Sequence, residues 1–528
     1  FGVSAIGGVV DLRLREPMGP VAEVEVGAGS FDTRSARGFV GVGDGDNGGG
    51  LALDYQGSAG DFSYQHAGGT AWESGDGATV TRDHNAFDKV TALARGTLQV
   101  TDGVTMRLLD LMTWRRRGMP GIGLYEGSGA VLETFRHMVG GEVTVDLGWT
   151  PGATLRVLPW FSWSRSDLAV APAGLALGGG STRAESASRG TRMHLAVPMP
   201  LDDEDHWHLQ PTATLAYRHE TYEGHGVVQS PAGGERHRVA AVAEVSLDAE
   251  PLNTAMVLSG RYEGTWSRIE SAPQVVAQQG SARLGLVHTP VAGTSIRANV
   301  AQGSRFPTPF ELFGFTASTL GNADLLPERG WTLDAGVRHD AGWLPAGSYG
   351  AAELTGFVSW TDDLIQFVRN SQGISRPENV EAAFVAGVEA GLWGDLFSHL
   401  RLRSSLTWMH SEDRSDIVAR RGKQLPYRPT WKIYARAEGY GHLAGQGEFG
   451  LALDLEHISG DVLDHANLVR NPPRLFVGAS AWMELLQRQL RVAVNLRNVT
   501  DRQSVDFQGY PLPGITAMAT LRWTPPLH

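Results

Sequence analysis

The side chains most able to do chemistry in this chain are basic and grouped. Arg115, Arg116 and Arg117 are consecutive and lead toward Tyr125, while Arg420, Arg421 and Lys423 form a second group. Guanidinium and ammonium groups at this density attract anions and hydrogen-bond their oxygens, Arg in a planar two-point fashion. Both groups fall in segments read as outer loops, where binding residues concentrate. Contact with anionic lipid, or simple solvation, is the alternative reading of each. His206-Trp207-His208 could place two imidazoles on one face of a strand, but no third ligand stands at metal-site spacing. An interfacial role is the expectation there, and no metal site is assigned. Asp202-Asp203 and Asp362-Asp363 are adjacent carboxylates. On a strand such neighbours point to opposite faces and cannot work together as an acid–base dyad. No nucleophile elbow or phosphate-binding loop occurs, so the chain reads as no enzyme and needs no cofactor.

Composition narrows the frame that positions these groups. The 528 residues include 67 Gly and no Cys, which excludes a disulfide scaffold and thiolate metal sites. The hydrophobic share is 42 % and no run of 18 apolar residues is present, so no membrane-spanning helix is available. A membrane β-barrel is not excluded by this, because its strands alternate and its mean hydropathy stays modest. Net charge is −12 with no basic stripe, which argues against nucleic-acid binding.

Period-two alternation runs from end to end. Leu490, Val492, Val494 and Leu496 oppose Arg491, Asn495 and Arg497; Phe449, Leu451, Leu453 and Leu455 oppose Asp454 and Glu456. Ile296, Ala298 and Val300 oppose Arg297 and Asn299. Such rows would face a core in a soluble sandwich and lipid in a membrane barrel. The connections separate the two. Short ones, such as 101–103, 150–152, 250–253, 291–293 and 486–489, mostly take turns with long ones, such as 62–88, 115–136, 166–190, 305–330, 369–380, 411–429 and 457–473. Short turns on one side and long loops on the other mark an outer-membrane barrel. The reading is therefore an all-β protein, a transmembrane antiparallel barrel of about 22 strands, a strand number associated with plugged transporters. Trp114, Trp160, Trp163, Trp207, Trp266, Trp331, Trp360, Trp408, Trp431, Trp482 and Trp523 fall near strand ends, as interfacial girdles do.

One stretch carries a resemblance: Arg305-Phe306-Pro307-Thr308-Pro309-Phe310-Glu311-Leu312-Phe313-Gly314, followed by Gly321-Asn322-Ala323-Asp324-Leu325-Leu326-Pro327-Glu328. In order and spacing it resembles the barrel motif of TonB-dependent outer-membrane receptors, departing at Pro307, Pro309 and Ala323. Further motifs follow in family order: Arg117-Gly118-Met119-Pro120-Gly121, Asn379 with Gly387-Val388-Glu389, Leu425-Pro426-Tyr427-Arg428-Pro429, and Asn495-Leu496-Arg497-Asn498-Val499-Thr500-Asp501. The opening Phe1-Gly2-Val3-Ser4-Ala5-Ile6-Gly7-Gly8-Val9-Val10 resembles the end of the family's plug domain, with Gly7 and Gly8 allowing close backbone packing.

The resemblance implies residues 1–18 as the last part of a plug and 19–528 as the receptor barrel. It implies a monomer in the bacterial outer membrane, in contact with lipid and lipopolysaccharide. Its activity would be import of a scarce solute, of the ferric siderophore, haem or cobalamin class, driven by proton-motive force through the TonB–ExbB–ExbD complex. On this reading Arg305, Pro307, Glu311, Asn322, Pro327 and Glu328 are architectural. The basic groups with Tyr125 are the candidate ligand contacts. The missing front of the plug is expected upstream of Phe1. A passive porin and a soluble all-β binding protein remain the alternatives at this point.

Overall fold

The computed structural model describes residues 17–65, 79–120, 129–170, 180–202, 204, 206–226, 233–269, 274–316, 319–342, 344–369, 375–443, 447–507 and 510–526. Within them 22 strands close into one antiparallel barrel. The first are β1 (Val21–Gly29), β2 (Thr33–Gly43), β3 (Gly48–Ser58), β4 (Phe87–Thr101), β5 (Val104–Gly118), β6 (Val131–Asp146) and β7 (Thr154–Val170). Then come β8 (Gly180–Ala196), β9 (Trp207–Gly226), β10 (Gly233–Ala249), β11 (Thr254–Ile269), β12 (Val275–Val291), β13 (Thr294–Arg305), β14 (Glu328–Asp340) and β15 (Tyr349–Arg369). The circuit ends with β16 (Ser375–Leu396), β17 (Leu400–Asp413), β18 (Trp431–Leu443), β19 (Gly447–Ile458), β20 (Arg474–Leu485), β21 (Leu490–Arg497) and β22 (Thr516–Trp523). The ring closes where β22 pairs with β1, Trp523 opposite Val24 and Met518 opposite Gly29. Closure satisfies every barrel strand on both sides and leaves no open edge. Strand spacing and tilt make such a ring roughly 40 Å across.

The barrel is apolar outside. Val24, Val40, Leu51, Leu53, Leu98, Leu108, Leu215, Leu354, Leu392, Leu451 and Leu453 all stand exposed on the outer wall. No soluble monomer tolerates a continuous apolar belt of this extent, which disposes of the soluble binding protein. Trp331, Trp360, Trp408 and Trp431 stand exposed on the outer half of their strands, paired Trp331 with Trp360 and Trp408 with Trp431, and Trp523 stands at the opposite rim. Two of the expected girdle residues turn inward instead. Trp160 lies under Arg218, 4.7 Å from its guanidinium, and Trp482 is buried under Arg491.

The inner wall is polar and laced with cross-strand pairs. Arg37 meets Asp54 at 3.1 Å, Arg107 meets Glu142 at 2.8 Å and Asn299 donates to Asp334 at 2.9 Å. Arg436 holds both Glu438 and Asp454. Wet pairs of this kind contribute about 0–1 kcal/mol each. They fix side chains more than they stabilise the ring.

At the inner end of the barrel the chain before β1 runs along this wall. Gly19 donates to the Gly43 carbonyl at 2.6 Å, and buried Pro17 lies against Gly41 and Gly43. A Cβ on Gly43 would stand 2.3 Å from the Pro17 carbonyl oxygen, so the approach requires glycine. The expected plug remnant, including Gly7 and Gly8, otherwise lies outside the described residues.

Candidate functional site at the barrel mouth

The segment joining β13 to β14 folds over the mouth instead of standing clear of it. Pro309–Phe313 forms a single helical turn, α1. Its start is specified locally: the Thr308 hydroxyl accepts from the Glu311 amide, and the Glu311 carboxylate accepts from the Thr308 amide at 2.7 Å. Pro309 at the first helical position has no amide to leave unpaired. The same Glu311 carboxylate also receives Arg305, from Nη1 at 3.0 Å and Nη2 at 3.1 Å. Arg305 donates a further pair to Glu328, Nε at 2.7 Å and Nη2 closer still. One guanidinium therefore ties the end of β13, the helical turn and the start of β14, using two bidentate contacts. Glu328 also accepts from the Ile365 amide of β15 at 2.9 Å, where a bulge interrupts the β15–β16 register. Asp363 takes a left-handed φ of 57° in that bulge, so the Asp362-Asp363 pair does not follow simple strand alternation.

The second half of the motif is fastened to β16. Asn322 donates to the Pro377 carbonyl at 2.8 Å and accepts from the Asp324 amide and from Arg376. Asn379 brackets Leu326, accepting from its amide at 2.8 Å and donating to its carbonyl at 2.9 Å. Pro327 is buried between these anchors. On the other flank, buried Arg236 of β10 donates to the Pro307 carbonyl at 2.6 Å, and Tyr222 of β9 donates to the Gly314 carbonyl at 2.6 Å. Leu312, Phe313 and Leu325 of this segment form a hydrophobic core with Ala184, Tyr222 and Ile365 of the surrounding strands. Arg305, Pro307, Glu311, Asn322, Pro327 and Glu328 all lie in this one assembly at the mouth. Asn379 was visible as a motif position. Arg236 and Tyr222 were not legible, because nothing near them in sequence marks them as loop anchors.

The basic candidates are placed differently. Arg115, Arg116 and Arg117 lie on β5 and not in a loop. Alternation turns Arg115 and Arg117 to the lumen and Arg116 to the outer wall, between Asp88 and Glu133 on the neighbouring strands. Arg115 stands directly opposite Lys89 of β4. Like charges in that position repel, yet Lys89, Arg115 and Arg117 make no ion pair among the described residues. Tyr125 lies outside the described residues. Arg420, Arg421 and Lys423 sit in the turn-rich connection between β17 and β18. Lys423 donates its ammonium to the Ala466 carbonyl at 2.8 Å, which ties that loop to the one between β19 and β20.

His206 meets Asp202 at 3.4 Å and Glu204 at 3.3 Å on an inner turn just before β9.

Comparison with known proteins agrees with this architecture. Residues 24–499 match the family model described as TonB dependent receptor-like, beta-barrel. No curated protein matches the chain. Among solved structures, it is similar to BauA, the ferric preacinetobactin receptor from Acinetobacter baumannii, with a TM-score of 0.74, 12 % identity, and coverage of 96 % of this chain and 80 % of that one. The copper transporter OprC superposes with a TM-score of 0.74 at 14 % identity, covering 97 % and 81 % of the two chains. The ferric citrate transporter FecA in its unliganded form does so with a TM-score of 0.74 at 14 % identity, covering 97 % and 79 %. At such identities the likeness establishes the fold, and the family match establishes the lineage. These are receptors and transporters of the outer membrane, not enzymes. The chain belongs to the TonB-dependent receptor β-barrel family.

Proposed function

We propose that this receptor imports a scarce solute of the ferric siderophore, haem or cobalamin class, an anionic ferric chelate being the member its charge pattern favours. The observation that carries the reading is the cationic wall of Lys89, Arg115 and Arg117, facing the lumen at the outer end of β4 and β5 without carboxylate partners among the described residues. Guanidinium groups held apart from carboxylates are available to chelate oxygens, and a low-dielectric wall focuses their field on an approaching anion. A 22-strand ring is wider than a 16–18-stranded porin, whose open channel suits passive flow, and matches barrels whose lumen is plugged. Residues 1–18 are read as the end of such a plug, a reading supported by the seating of Pro17 on Gly41 and Gly43 of the inner wall. Energy would come through TonB with ExbB and ExbD, acting on the plug.

The test is uptake of labelled ferric siderophores, haem and cobalamin by cells carrying the full-length receptor, with and without a protonophore. Uptake of one chelate that stops with the protonophore supports the reading. Steady ion conductance by the purified full-length protein, with no saturable uptake, would make it a porin.

A further inference from the structure

We propose a divalent transition-metal site on the outside of the barrel, formed by His219 of β9 with Glu235 and His237 of β10. One ligand atom from each of the three lies within 4.8 Å of the others. His219 and His237 are directly opposite across the β9–β10 ladder, their rings stacked at 4.6 Å, and Glu235 is two residues from His237 on the same face. That face is the outer one. Tyr217 and Val239, the next residues down the two strands on the same face, are exposed in the apolar belt. The site therefore stands where the belt ends, at the outer rim.

Two ligands are already oriented by partners that leave a coordinating atom over. The Tyr217 hydroxyl hydrogen-bonds His237 Nδ1 at 2.9 Å, which leaves Nε2 for a metal when the phenol oxygen accepts. Arg268 donates to one oxygen of Glu235 at 2.9 Å, while the other oxygen faces His219 Nε2 at 3.6 Å. Metal-ligating imidazoles and carboxylates are characteristically held in this way from behind. Two imidazoles and one carboxylate suit Zn²⁺ and its neighbours, not the oxygen-preferring Mg²⁺ or Ca²⁺. Coordination distances of about 2.0–2.2 Å require the three half-buried side chains to close by roughly 1 Å, within reach of rotamer adjustment. A tetrahedral ion would keep a fourth position directed away from the wall, for water or an anionic headgroup oxygen. Bound there, the ion would clip the outer ends of β9 and β10 together.

The test uses the full-length receptor in detergent, stripped of metal and titrated with Co²⁺ and with Zn²⁺ against a chromophoric chelator. Wild type is expected to bind one equivalent more than the double variant His219→Ala, His237→Ala, and to develop the visible absorption of a tetrahedral Co²⁺ site that the variant lacks. Glu235→Gln should weaken that equivalent at least tenfold and Tyr217→Phe by about 10-fold, the loss typical of an orienting partner. Excess Mg²⁺ should not compete. Equal stoichiometry in wild type and the double variant, or displacement by Mg²⁺, overturns the assignment. Where the double variant fails to enter the micelle, His237→Gln keeps the polarity of the rim and is read in the same titration: it should lose the same equivalent, and retention of it counts against the site.

Discussion

Two arginine sites at the same mouth have opposite surroundings. Arg305 spends its guanidinium on two carboxylates, Glu311 and Glu328, both nearly buried, and through them holds a helical turn and three strands. Arg115 and Arg117 face the lumen, Arg115 directly opposite Lys89, with no carboxylate paired to them among the described residues. The contrast separates two uses of one residue type. An arginine that gives four hydrogen bonds to buried acids is a structural tie, and its neighbours are chosen for geometry. An arginine kept beside like charge costs the fold a little and is worth retaining where an anion visits. Under the proposed function, ligand contacts are to be sought on β4 and β5 before the family motif.

The strongest way to break this contrast is Arg305→Ala. It leaves Glu311 and Glu328 buried without their counter-ion, which costs about 3–5 kcal/mol. Urea unfolding followed by the loss of compact gel mobility should shift accordingly, and an unchanged midpoint would end the tie reading. Asn379→Ala comes next. It removes the acceptor of the Leu326 amide and the donor to two carbonyls, those of Leu326 and Asp363, for about 1–3 kcal/mol, with faster hydrogen exchange confined to residues 319–327. The double variant Arg115→Ala, Arg117→Ala should behave in the opposite sense. Stability should stay within about 0.5 kcal/mol of wild type, while affinity for the anionic chelate falls at least about tenfold. Loss of stability without loss of affinity would move these residues into the structural class.

The smallest effect concerns pH. Burial, reinforced by the charge of Arg420, holds the His465 imidazole below its ordinary range. A depressed imidazole is favoured neutral in the folded loop, so its contribution is present above the unfolded value of about 6.5 and is lost as pH falls through the folded value. Amides of residues 459–473 should exchange faster at pH 5 than at pH 7.5, after correction for intrinsic rates. Residues 306–316, held by ion pairs of Arg305, should not. His465→Gln should abolish the difference.

The barrel was legible because its belt obliges side chains to alternate: Leu451, Leu453 and Leu455 against Asp454 and Glu456 can be read without coordinates. Loop boundaries were less so. The sequence places 115–136 and 166–190 in loops, whereas β5 continues to Gly118, β6 starts at Val131, β7 continues to Val170 and β8 starts at Gly180. Above the belt the hydrogen-bonded ladder goes on with no lipid to demand apolar residues on one face. Arg165, Asp167 and Arg183 pair across β7 and β8 there, and the hydropathy signal vanishes while the strand persists. The misplacement of Arg115 to Arg117 has the same cause. At the mouth, Arg305 and Glu328 could be recognised as a motif. That Arg305 also grips Glu311, and that Arg236 and Tyr222 hold the other flank, depends on strands far apart in sequence.

The seam between β1 and β22 has a temporal consequence. Its six residue pairs join Val24–Gly29 to Met518–Trp523, against nineteen pairs between β15 and β16. Each hairpin along the chain can pair with a neighbour already made, at small loop-closure cost. The seam alone must bring together segments almost the whole chain apart, for the least ladder in return. Circularisation is thus the expected slow step of assembly. Until it occurs β1 and β22 are open edges, and the protein is most exposed to mispairing in that interval.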